Sequence, residues 1–379
     1  MRKAVVMYSR VGGGHLSAAR ALAAELEGTG EFAARLVDIY VDCGRFPVTR
    51  FPSIYARLAR SHPRLWSLVY HGSGSSPKLD PSWVVGPFLR RGVLATLRAE
   101  RPDVVIGVLP AINEVLAEAT TAVGARLEVV LTDWHQVHPF WHARGVSHYT
   151  APTDSARADC IRFGAAPSAV DVVGIPVRRE FATAAAPDRS RYLSAIGLDP
   201  TRFTILAMVG AEGSPRALRN LAELACSDLD AQLVVVCGRG ERLRRQVERL
   251  PARIPVRALG FVEGISGLMR ASDLLVTKAG GLTLAEAFCC AVPVVIHDVL
   301  PGQEAGNLEY MLDHGAAVYA PMPSALVQTI TALAADPARR QQLAACGARL
   351  ARPNAAREIA ANVLSRLDRQ HAPPEADGR

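Results

Sequence analysis

The sequence lacks any apolar run that approaches the roughly 18–20 residues needed to span a bilayer. No small-residue cleavage site follows its short apolar start, so we interpret residues 4–9 as a buried first strand rather than a signal peptide. Its seven cysteines are odd in number and have no metal-type spacing, which favours free thiols in a cytosolic chain over a disulfide framework. Signatures of nucleic-acid-binding modules are also absent, and no nucleic-acid partner is predicted.

What is present indicates a globular α/β protein. The chain has 379 residues, of which 49% are hydrophobic, and this is enough for two domains with separate cores. Short β-branched runs alternate with helical patterns, which predicts parallel sheets in two doubly wound domains facing each other across a cleft. The predicted strands are 4–9, 103–109, 128–133, 148–151, 170–174, 204–210, 232–237, 256–259, 274–277, 294–297 and 316–319.

The predicted boundaries divide the chain into four parts. An N-terminal domain spans 1–176 and a C-terminal domain spans 177–352. A last helix within 353–369 carries Ile359, Val363 and Leu367 on one face and is expected to pack back on the N-terminal domain. The Pro-, acid- and Gly-rich tail 370–379 is expected to be disordered.

Positive charge is concentrated in one segment, 45–101. The whole chain carries a net charge of +7, whereas this segment alone carries +8, from ten Arg or Lys and two acids. Aromatic residues are interleaved with the basic ones, a pattern that suits an anionic membrane surface. The alternative is a solvated helical subdomain with aromatics in its core. The residues we assign to membrane or acceptor contact here are Arg57, Arg60, Arg64 and Trp66.

The most informative motif runs through residues 277–307. A strand ends at the glycine pair Gly280-Gly281 and a helix begins at once, and the bare amides and positive dipole of such a helix start bind phosphate. Glu286 lies one turn inside this helix, where a carboxylate can reach ribose hydroxyls. Gln303 and Glu304 offer hydrogen-bonding groups for a hydroxyl-rich ligand. Together they indicate a nucleotide-sugar site.

A glycine loop with a histidine follows the first strand. Gly13 and Gly14 precede His15, which stands at a helix start where the cationic imidazole is disfavoured. His15 is either a general base for an acceptor hydroxyl or a capping or packing histidine. The loop lacks the Gly-Lys-Ser/Thr of a P-loop. It is also not a dinucleotide fingerprint, because the spacing is wrong and no acidic residue clearly ends the second strand.

Two weaker patterns follow strands of the second half. The loop with Gly210, Gly213 and Ser214 can wrap a diphosphate with backbone amides and a hydroxyl. Phe261-Val262 follows another strand, where backbone groups can pair with a uracil edge. The alternative for Phe261 is a buried aromatic.

Polar and aromatic residues crowd the end of a strand in the first half. Asp133, Trp134 and His138 lie in this stretch, and Asp133 or His138 is a candidate for orienting the acceptor. A metal site formed by His135, His138 and His142 is conceivable, but the pattern has no clear ligand geometry, and no metal is predicted.

These motifs together resemble the GT-B glycosyltransferases of the monogalactosyldiacylglycerol synthase and diacylglycerol glucosyltransferase family. A more distant resemblance is to the enzyme that adds N-acetylglucosamine to lipid-linked muramyl peptide. The resemblance implies an inverting transfer of galactose or glucose from a UDP-sugar, a co-substrate rather than a cofactor, to a lipid such as diacylglycerol. The Ala- and Arg-rich composition indicates a bacterial source rather than a plastid, and we expect the enzyme to be peripheral to the cytoplasmic face of the cell membrane.

The resemblance assigns roles by position. His15 matches the proposed catalytic base, and Glu286 matches the ribose-binding glutamate. Arg178 matches a basic residue near the donor phosphates, and Gln303 and Glu304 match donor-sugar contacts. The positions that match the diphosphate region are Gly210, Gly213, Ser214, Gly280, Gly281 and Thr283.

Three alternatives remain open from the sequence. One is a transferase acting on a polyprenyl-linked or secondary-metabolite acceptor. Another is a UDP-sugar epimerase of similar fold. The third is a non-catalytic protein that binds nucleotide sugar or acts as a membrane adaptor.

Overall fold

The computed structural model describes residues 1–10, 13–51, 54, 81–183, 188–210, 214–300, 302 and 304–371. In this part of the chain, helices cover two six-stranded parallel sheets. The first sheet contains β1 (Arg2–Tyr8), β2 (Phe32–Asp38), β3 (Val104–Gly107), β4 (Arg126–Val130), β5 (His148–Ala151) and β6 (Val170–Val172). The second contains β7 (Phe203–Met208), β8 (Ala231–Val236), β9 (Val256–Leu259), β10 (Leu274–Lys278), β11 (Val294–Asp298) and β12 (Ala317–Tyr319).

The described α-helices are numbered in chain order. Those of the first half are α1 (Gly14–Gly28), α2 (Ile39–Asp42), α3 (Pro81–Glu100), α4 (Asn113–Val123) and α5 (Asp154–Arg162). Those that follow are α6 (Arg179–Ala182), α7 (Arg189–Ala195), α8 (Pro215–Ala225), α9 (Glu241–Glu248), α10 (Ile265–Ala271), α11 (Gly281–Cys289), α12 (Ala305–Asp313), α13 (Pro323–Ala335), α14 (Pro337–Leu350) and α15 (Ala355–His371).

The strand orders confirm the predicted GT-B type of α/β architecture and locate the motifs within it. The first sheet has the order β2-β1-β3-β4-β5-β6 and the second β12-β11-β10-β7-β8-β9. The order reverses between β1 and β3 and between β7 and β10, and doubly wound sheets bind ligands beyond the strand ends at such switch points. The loop before His15 follows β1, while the glycine turns at Gly210 and Gly280-Gly281 follow β7 and β10.

The strand prediction was wrong in one place. All eleven predicted strands are present with ends shifted by three residues or fewer, but the sequence pattern missed β2, which contains the weak strand formers Ala33, Ala34 and Arg35. The prediction that no acidic residue ends the second strand was therefore also wrong, because Asp38 ends β2. Its fully buried carboxylate caps α2 and lies 3.2 Å from the Arg10 guanidinium, so it is engaged within the protein.

Side-chain periodicity explains how the first sheet is buried on both faces. Successive residues of a strand point to opposite faces, so Val5 and Met7 enter one core while Val6 enters the other. The second of these cores includes Leu22 and Leu26 from α1. This packing fixes α1, and with it His15, over the carboxyl end of β1.

The last helix, α15, packs on the first sheet. Ile359, Val363 and Leu367 join the core formed by β1 and α1. From the same helix, Arg366 makes a bidentate pair with the buried Glu128 carboxylate of β4, at 3.0 and 2.6 Å. The chain therefore returns from the second sheet to the first.

Two segments singled out from the sequence lie partly outside the described residues. In the basic segment 45–101, residues 52–53 and 55–80 are outside the described residues. Residues 370 and 371 belong to α15, and 372–379 are outside the described part of the chain. None of the described helices combines the length and the apolar character needed to cross a membrane.

Candidate functional site

The two halves of the chain meet at the glycine pair that starts α11. The indole Nε1 of Trp134 donates to the carbonyl oxygen of Gly281 at 3.0 Å, and the Trp134 backbone amide donates to Asn307 Oδ1 at 2.8 Å. Asn307 Nδ2 donates in turn to the carbonyl oxygen of Ala279 at 3.0 Å. Trp134 and Asn307 are both buried. The segment after β4 is thus joined directly to the starts of α11 and α12.

Two glycines allow this close approach. A Cβ at Gly281 would overlap the carbonyl oxygen of Thr132, and one at Gly306 would overlap the carbonyl oxygen of His135. In both cases the opposing atom is backbone of the other half, which has no flexible end that can move aside. Only glycine at these two helix starts permits the observed contact.

His15 is the second residue of α1 and faces the contact between the halves. Gly13, with φ of 78°, turns the chain into the helix, and the Cβ position of Gly14 lies 3.7 Å from Leu282 Cβ of α11. His15 Nδ1 is buried and has no hydrogen-bond partner among the described residues. Burial, and after it the positive charge of Lys278, lowers the pKa of His15 from 6.5 to about 4. The imidazole is therefore neutral at neutral pH.

Three charged groups from both halves gather at the same cleft. Lys278 Nζ forms an ion pair with Glu304 Oε1, and Glu304 Oε2 accepts from the Leu300 amide at 3.0 Å. Asp133 accepts from Trp141 Nε1 at 2.8 Å. Burial raises the pKa of Asp133 to about 6; the Glu304 charge adds to this, whereas the Trp141 hydrogen bond and Lys278 oppose it.

Lys278 is a residue that the sequence motifs did not single out. The glycine pair drew attention to backbone amides, whereas the lysine two residues earlier ends β10 at the same edge of the sheet. Its position at the carboxyl end of a strand, immediately before Ala-Gly-Gly, was the available signal. The interaction of its charge with His15 and Asp133 depends on the packing of one half on the other.

Glu286 lies one turn inside α11, as predicted, and is buried against the first half. Its Oε1 accepts from Ser17 Oγ of α1 at 3.4 Å and lies 4.0 Å from Arg178 Nη2. Burial raises its pKa to about 7; Arg178 and the Ser17 hydrogen bond oppose the rise, and the charge of Glu180 adds to it. Its ribose-binding role stays a prediction.

Arg178 lies at the start of α6, close to Glu286, but its shorter ion pair is with Glu180. Its Nη1 is 2.6 Å from Glu180 Oε1, and its guanidinium lies over the Phe181 ring at 5.3 Å from the centroid. The predicted contact of Arg178 with donor phosphates remains untested.

The predicted diphosphate loop is only partly described. Gly210 has φ of 80°, a left-handed conformation that favours glycine. Ser214 caps α8 by accepting from the Ala217 amide at 2.9 Å, and its hydroxyl donates to Asp298 Oδ2 at 2.7 Å. The Ser214 hydroxyl is thus engaged within the protein. Gly280 precedes the first residue of α11, and Thr283 is part of its first turn.

The predicted uracil-binding pair follows β9, an edge strand of the second sheet. Phe261 is 56% exposed, so the alternative of a buried aromatic is wrong, and Val262 is half-buried. The guanidinium of Arg239 lies over the Phe261 ring at 5.7 Å from its centroid.

His138 has a local structural role in addition to its predicted one. It is buried, and its Nδ1 accepts from the Phe140 amide at 3.2 Å, which caps a short 3₁₀ turn over Pro139–Trp141. Among the described residues, no group of three or more His, Cys, Asp or Glu is placed to hold a metal ion. Six predicted site residues lie outside the described part of the chain: Arg57, Arg60, Arg64, Trp66, Gly213 and Gln303.

Solved structures share this architecture. HepE from Anabaena in complex with UDP-glucose has a TM-score of 0.60 and 16% identity, covering 97% of this chain and all of that one. MurG from Acinetobacter baumannii has a TM-score of 0.61 and 16% identity, covering 96% and 100%. UDP-GlcNAc 2-epimerase from Neisseria meningitidis, bound to UDP-GlcNAc, also has a TM-score of 0.61, at 12% identity and with the same coverage. Likeness at this level establishes the GT-B fold alone.

Sequence comparison is more specific. Residues 15–177 match the family model "Monogalactosyldiacylglycerol (MGDG) synthase", and residues 203–349 match "Glycosyl transferases group 1". "Monogalactosyldiacylglycerol synthase, chloroplastic" of Spinacia oleracea is 29% identical, over 97% of this chain and 73% of its own length. "Processive diacylglycerol beta-glucosyltransferase" of Bacillus licheniformis is 27% identical, over 88% and 86%. "Probable monogalactosyldiacylglycerol synthase 2, chloroplastic" of Oryza sativa subsp. indica is 30% identical, over 85% and 71%. The chain belongs to the monogalactosyldiacylglycerol synthase family of glycosyltransferases.

Proposed function

We propose that this glycosyltransferase is an inverting enzyme that transfers galactose or glucose from a UDP-sugar to diacylglycerol. The observation that carries the proposal is the close approach of two helix starts, where the Cβ position of Gly14 lies 3.7 Å from Leu282 Cβ. This approach brings the neighbouring His15 within reach of the Lys278 charge at the end of β10. An inverting displacement needs a base on one face of the anomeric carbon and a stabilised leaving group on the other. Relatives whose names specify galactosyl and glucosyl transfer to diacylglycerol support the choice of substrates.

The chemical step is a single displacement. The acceptor hydroxyl oxygen forms a bond to the anomeric carbon while the bond from that carbon to the β-phosphate oxygen breaks. The electron pair of the broken bond stays on the phosphate oxygen of UDP, and the hydroxyl proton passes to the neutral His15. Helix N-termini and cations stabilise the departing diphosphate in a site held away from water.

The donor would lie along the carboxyl edge of the second sheet. The start of α11 and the turn at Gly210 are suited to the diphosphate, because bare amides and a helix dipole attract phosphate oxygens. We assign the uracil edge to the backbone at Phe261 and Val262, the ribose hydroxyls to Glu286, and the sugar hydroxyls to Gln303 and Glu304. Ribose binding by Glu286 requires its contact with Ser17 to open, since the carboxylate is buried against α1.

The acceptor side belongs to the first half. Asp133 and the loop at Gly13-Gly14 are the groups we assign to the acceptor hydroxyl. We further propose that the basic segment 45–101 binds an anionic membrane on the cytoplasmic face, so that the enzyme meets its lipid in the bilayer. Replacing Arg57, Arg60 and Arg64 by alanine should weaken binding to anionic vesicles. Unchanged vesicle binding would contradict the membrane part of the proposal.

The experiment that tests the function measures UDP release from UDP-galactose and UDP-glucose, with and without diacylglycerol in anionic vesicles. We expect release that depends on diacylglycerol, with one sugar preferred and a new glycolipid formed. Vesicles of the same composition without diacylglycerol are the control. Conversion of the UDP-sugar to an isomer without acceptor would instead identify an epimerase. Release that diacylglycerol does not stimulate would assign the acceptor to another molecule.

A further inference from the structure

Lys278 has a position that no motif assigned to it. It ends β10, directly beside β7, at the point where the second sheet reverses its strand order. Its Cε lies 3.9 Å from the position a Cβ would take on Gly210, and its Nζ lies 3.6 Å from the corresponding position on Gly280. The side chain therefore runs along both glycine turns that we assign to the donor diphosphate.

The ammonium group is held but not enclosed. Its partner is Glu304, whose carboxylate is buried and also accepts from the Leu300 amide. The Lys278 side chain itself is 37% exposed. Because the side chain is partly exposed, an incoming anion can reach the ammonium without unfolding the site.

The charge of Lys278 acts on both groups that we assign to the acceptor side. It helps to lower the pKa of His15 and opposes the rise in the pKa of Asp133. The ammonium is thus close enough for its charge to shift the pKa values of His15 and Asp133 in the other half.

Two arginines at the same cleft edge are paired with carboxylates of the protein. Arg178 pairs with Glu180 at 2.6 Å and approaches Glu286, while Arg216 Nη1 lies 3.5 Å from Asp298. Lys278, in contrast, lies along the two glycine turns themselves. Its closeness to both turns distinguishes it from these arginines as a diphosphate contact.

Composition makes this lysine unusual within its own chain. Arginine occupies 40 of the 43 basic positions, and the three lysines are Lys3, Lys78 and Lys278. An ammonium is a compact point charge on a flexible stem, whereas a guanidinium is a wide planar fork. Between two tight glycine turns, the compact cation can meet a phosphate oxygen without displacing the backbone.

We propose that Lys278 is a catalytic residue that contacts the donor diphosphate and neutralises the charge left on the β-phosphate oxygen when the bond to the anomeric carbon breaks. Glu304 holds the ammonium in position before the donor arrives. This inference rests on the proposed function, because it requires a UDP-sugar in the cleft. The alternative is that the Lys278–Glu304 pair only supports the loop between β11 and α12.

The test compares Lys278→Met with Lys278→Arg in the full-length protein. Lys3→Met makes the same change at an exposed lysine near the start of β1, at the opposite end of its strand from the cleft, and is the matched control. Calorimetry gives the affinities of each variant for UDP and for uridine, and UDP release in the presence of diacylglycerol vesicles gives kcat. Thermal melting shows whether each variant is folded.

We expect wild type and Lys3→Met to bind UDP more tightly than uridine. Lys278→Met should bind UDP about 10- to 100-fold more weakly than wild type, and its kcat should be lower by about 100-fold or more. Its affinity for uridine should stay within a factor of two of the wild-type value. Lys278→Arg should retain part of the UDP affinity, because charge is kept while shape changes.

Two results would overturn the assignment while leaving the proposed function intact. One is a Lys278→Met protein that keeps both the preference for UDP over uridine and kcat. The other is an equal loss of uridine and UDP affinity, which identifies a supporting role for the loop. If wild type itself does not bind UDP, the proposed function fails, and the role of Lys278 fails with it.

Discussion

The backbone amide of Trp134 donates a 2.8 Å hydrogen bond to Oδ1 of Asn307, which joins the loop after β4 to the start of α12. Asn307 also donates to the carbonyl of Ala279, beside the glycine pair at the start of α11. One buried side chain therefore connects the first half of the chain to the turn that we assign to the donor diphosphate. We expect the contact between the halves and the shape of this turn to depend on the same residue.

Asn307→Ala should weaken this connection. It leaves the Trp134 amide and the Ala279 carbonyl without their partner, which costs about 1–3 kcal/mol for each buried group. We expect a lower melting temperature and a kcat/KM reduced by about 10-fold or more, measured by UDP release. Asn307→Asp is the matched variant, because a carboxylate still accepts from Trp134 but does not donate to Ala279. Equal stability and activity of wild type and Asn307→Ala would show that the connection is not needed.

Gly281→Ala should disturb the contact between the halves, and Gly280→Ala should not. A Cβ at Gly281 overlaps the Thr132 carbonyl oxygen, whereas one at Gly280 is 3.6 Å from Lys278 Nζ and 3.7 Å from Glu304 Oε1, which are ordinary contacts. We expect Gly281→Ala to lose about 1–3 kcal/mol of stability in denaturant unfolding. Glycine-to-alanine changes at unstrained positions are usually neutral or stabilising, so a loss of stability would report the overlap with the Thr132 carbonyl oxygen. Equal unfolding curves for the two variants would contradict the close approach of the two backbones.

His15→Ala should remove the base and leave donor binding intact. General-base catalysis contributes about 10²- to 10⁴-fold, so we expect kcat to fall by that factor while the Kd for UDP changes by less than about two-fold. The pKa of His15 is about 4, so His15 is in the active neutral form above that pH and becomes protonated as the pH falls through about 4. The acid limb that depends on His15 should accordingly lie near pH 4, well below 6.5. Turnover retained by His15→Ala would exclude His15 as the base.

Glu286→Gln should change how stability depends on pH. Burial raises the folded-state pKa of Glu286 to about 7 from an ordinary 4.5, so the folded protein binds this proton more tightly than the unfolded chain. The stability that this proton confers is complete below about pH 4.5 and is lost as the pH rises through about 7. In denaturant unfolding, the free energy of unfolding of Glu286→Gln should rise relative to that of wild type over this pH range, by about 3 kcal/mol above pH 8.

The matched control for this prediction is Glu263→Gln, the same change at an exposed glutamate. A constant difference between Glu286→Gln and wild type at all pH values would mean that Glu286 is not buried in the folded protein as the structure has it. Growth of the difference towards acid pH would mean that the carboxylate is stabilised in its charged form, the opposite sign from the one expected here.

Local sequence determined most of the framework. Runs such as residues 4–9 and 274–277 are apolar and β-branched, so their burial in parallel strands follows from composition and spacing. The glycine pair before α11 and the helix start at His15 were likewise predictable from the sequence, because glycine, helix onset and strand end are all local features. The missed β2 shows the limit: alanine and arginine do not favour a strand, and pairing with β1 decided the outcome.

Tertiary structure alone decided how the site is assembled. The sequence of α11 places Glu286 one turn inside the helix, but only the packing of α1 buries it against Ser17 and raises its pKa. Ser214 was predicted as a diphosphate ligand from its loop, and folding directed its hydroxyl to Asp298. Lys278 ends β10 beside the glycine turns of its own half, but only the packing of the two halves brings His15 and Asp133 within reach of its charge. The interactions of charges and buried groups depend on distances between elements far apart in the chain, and no local pattern encodes those distances.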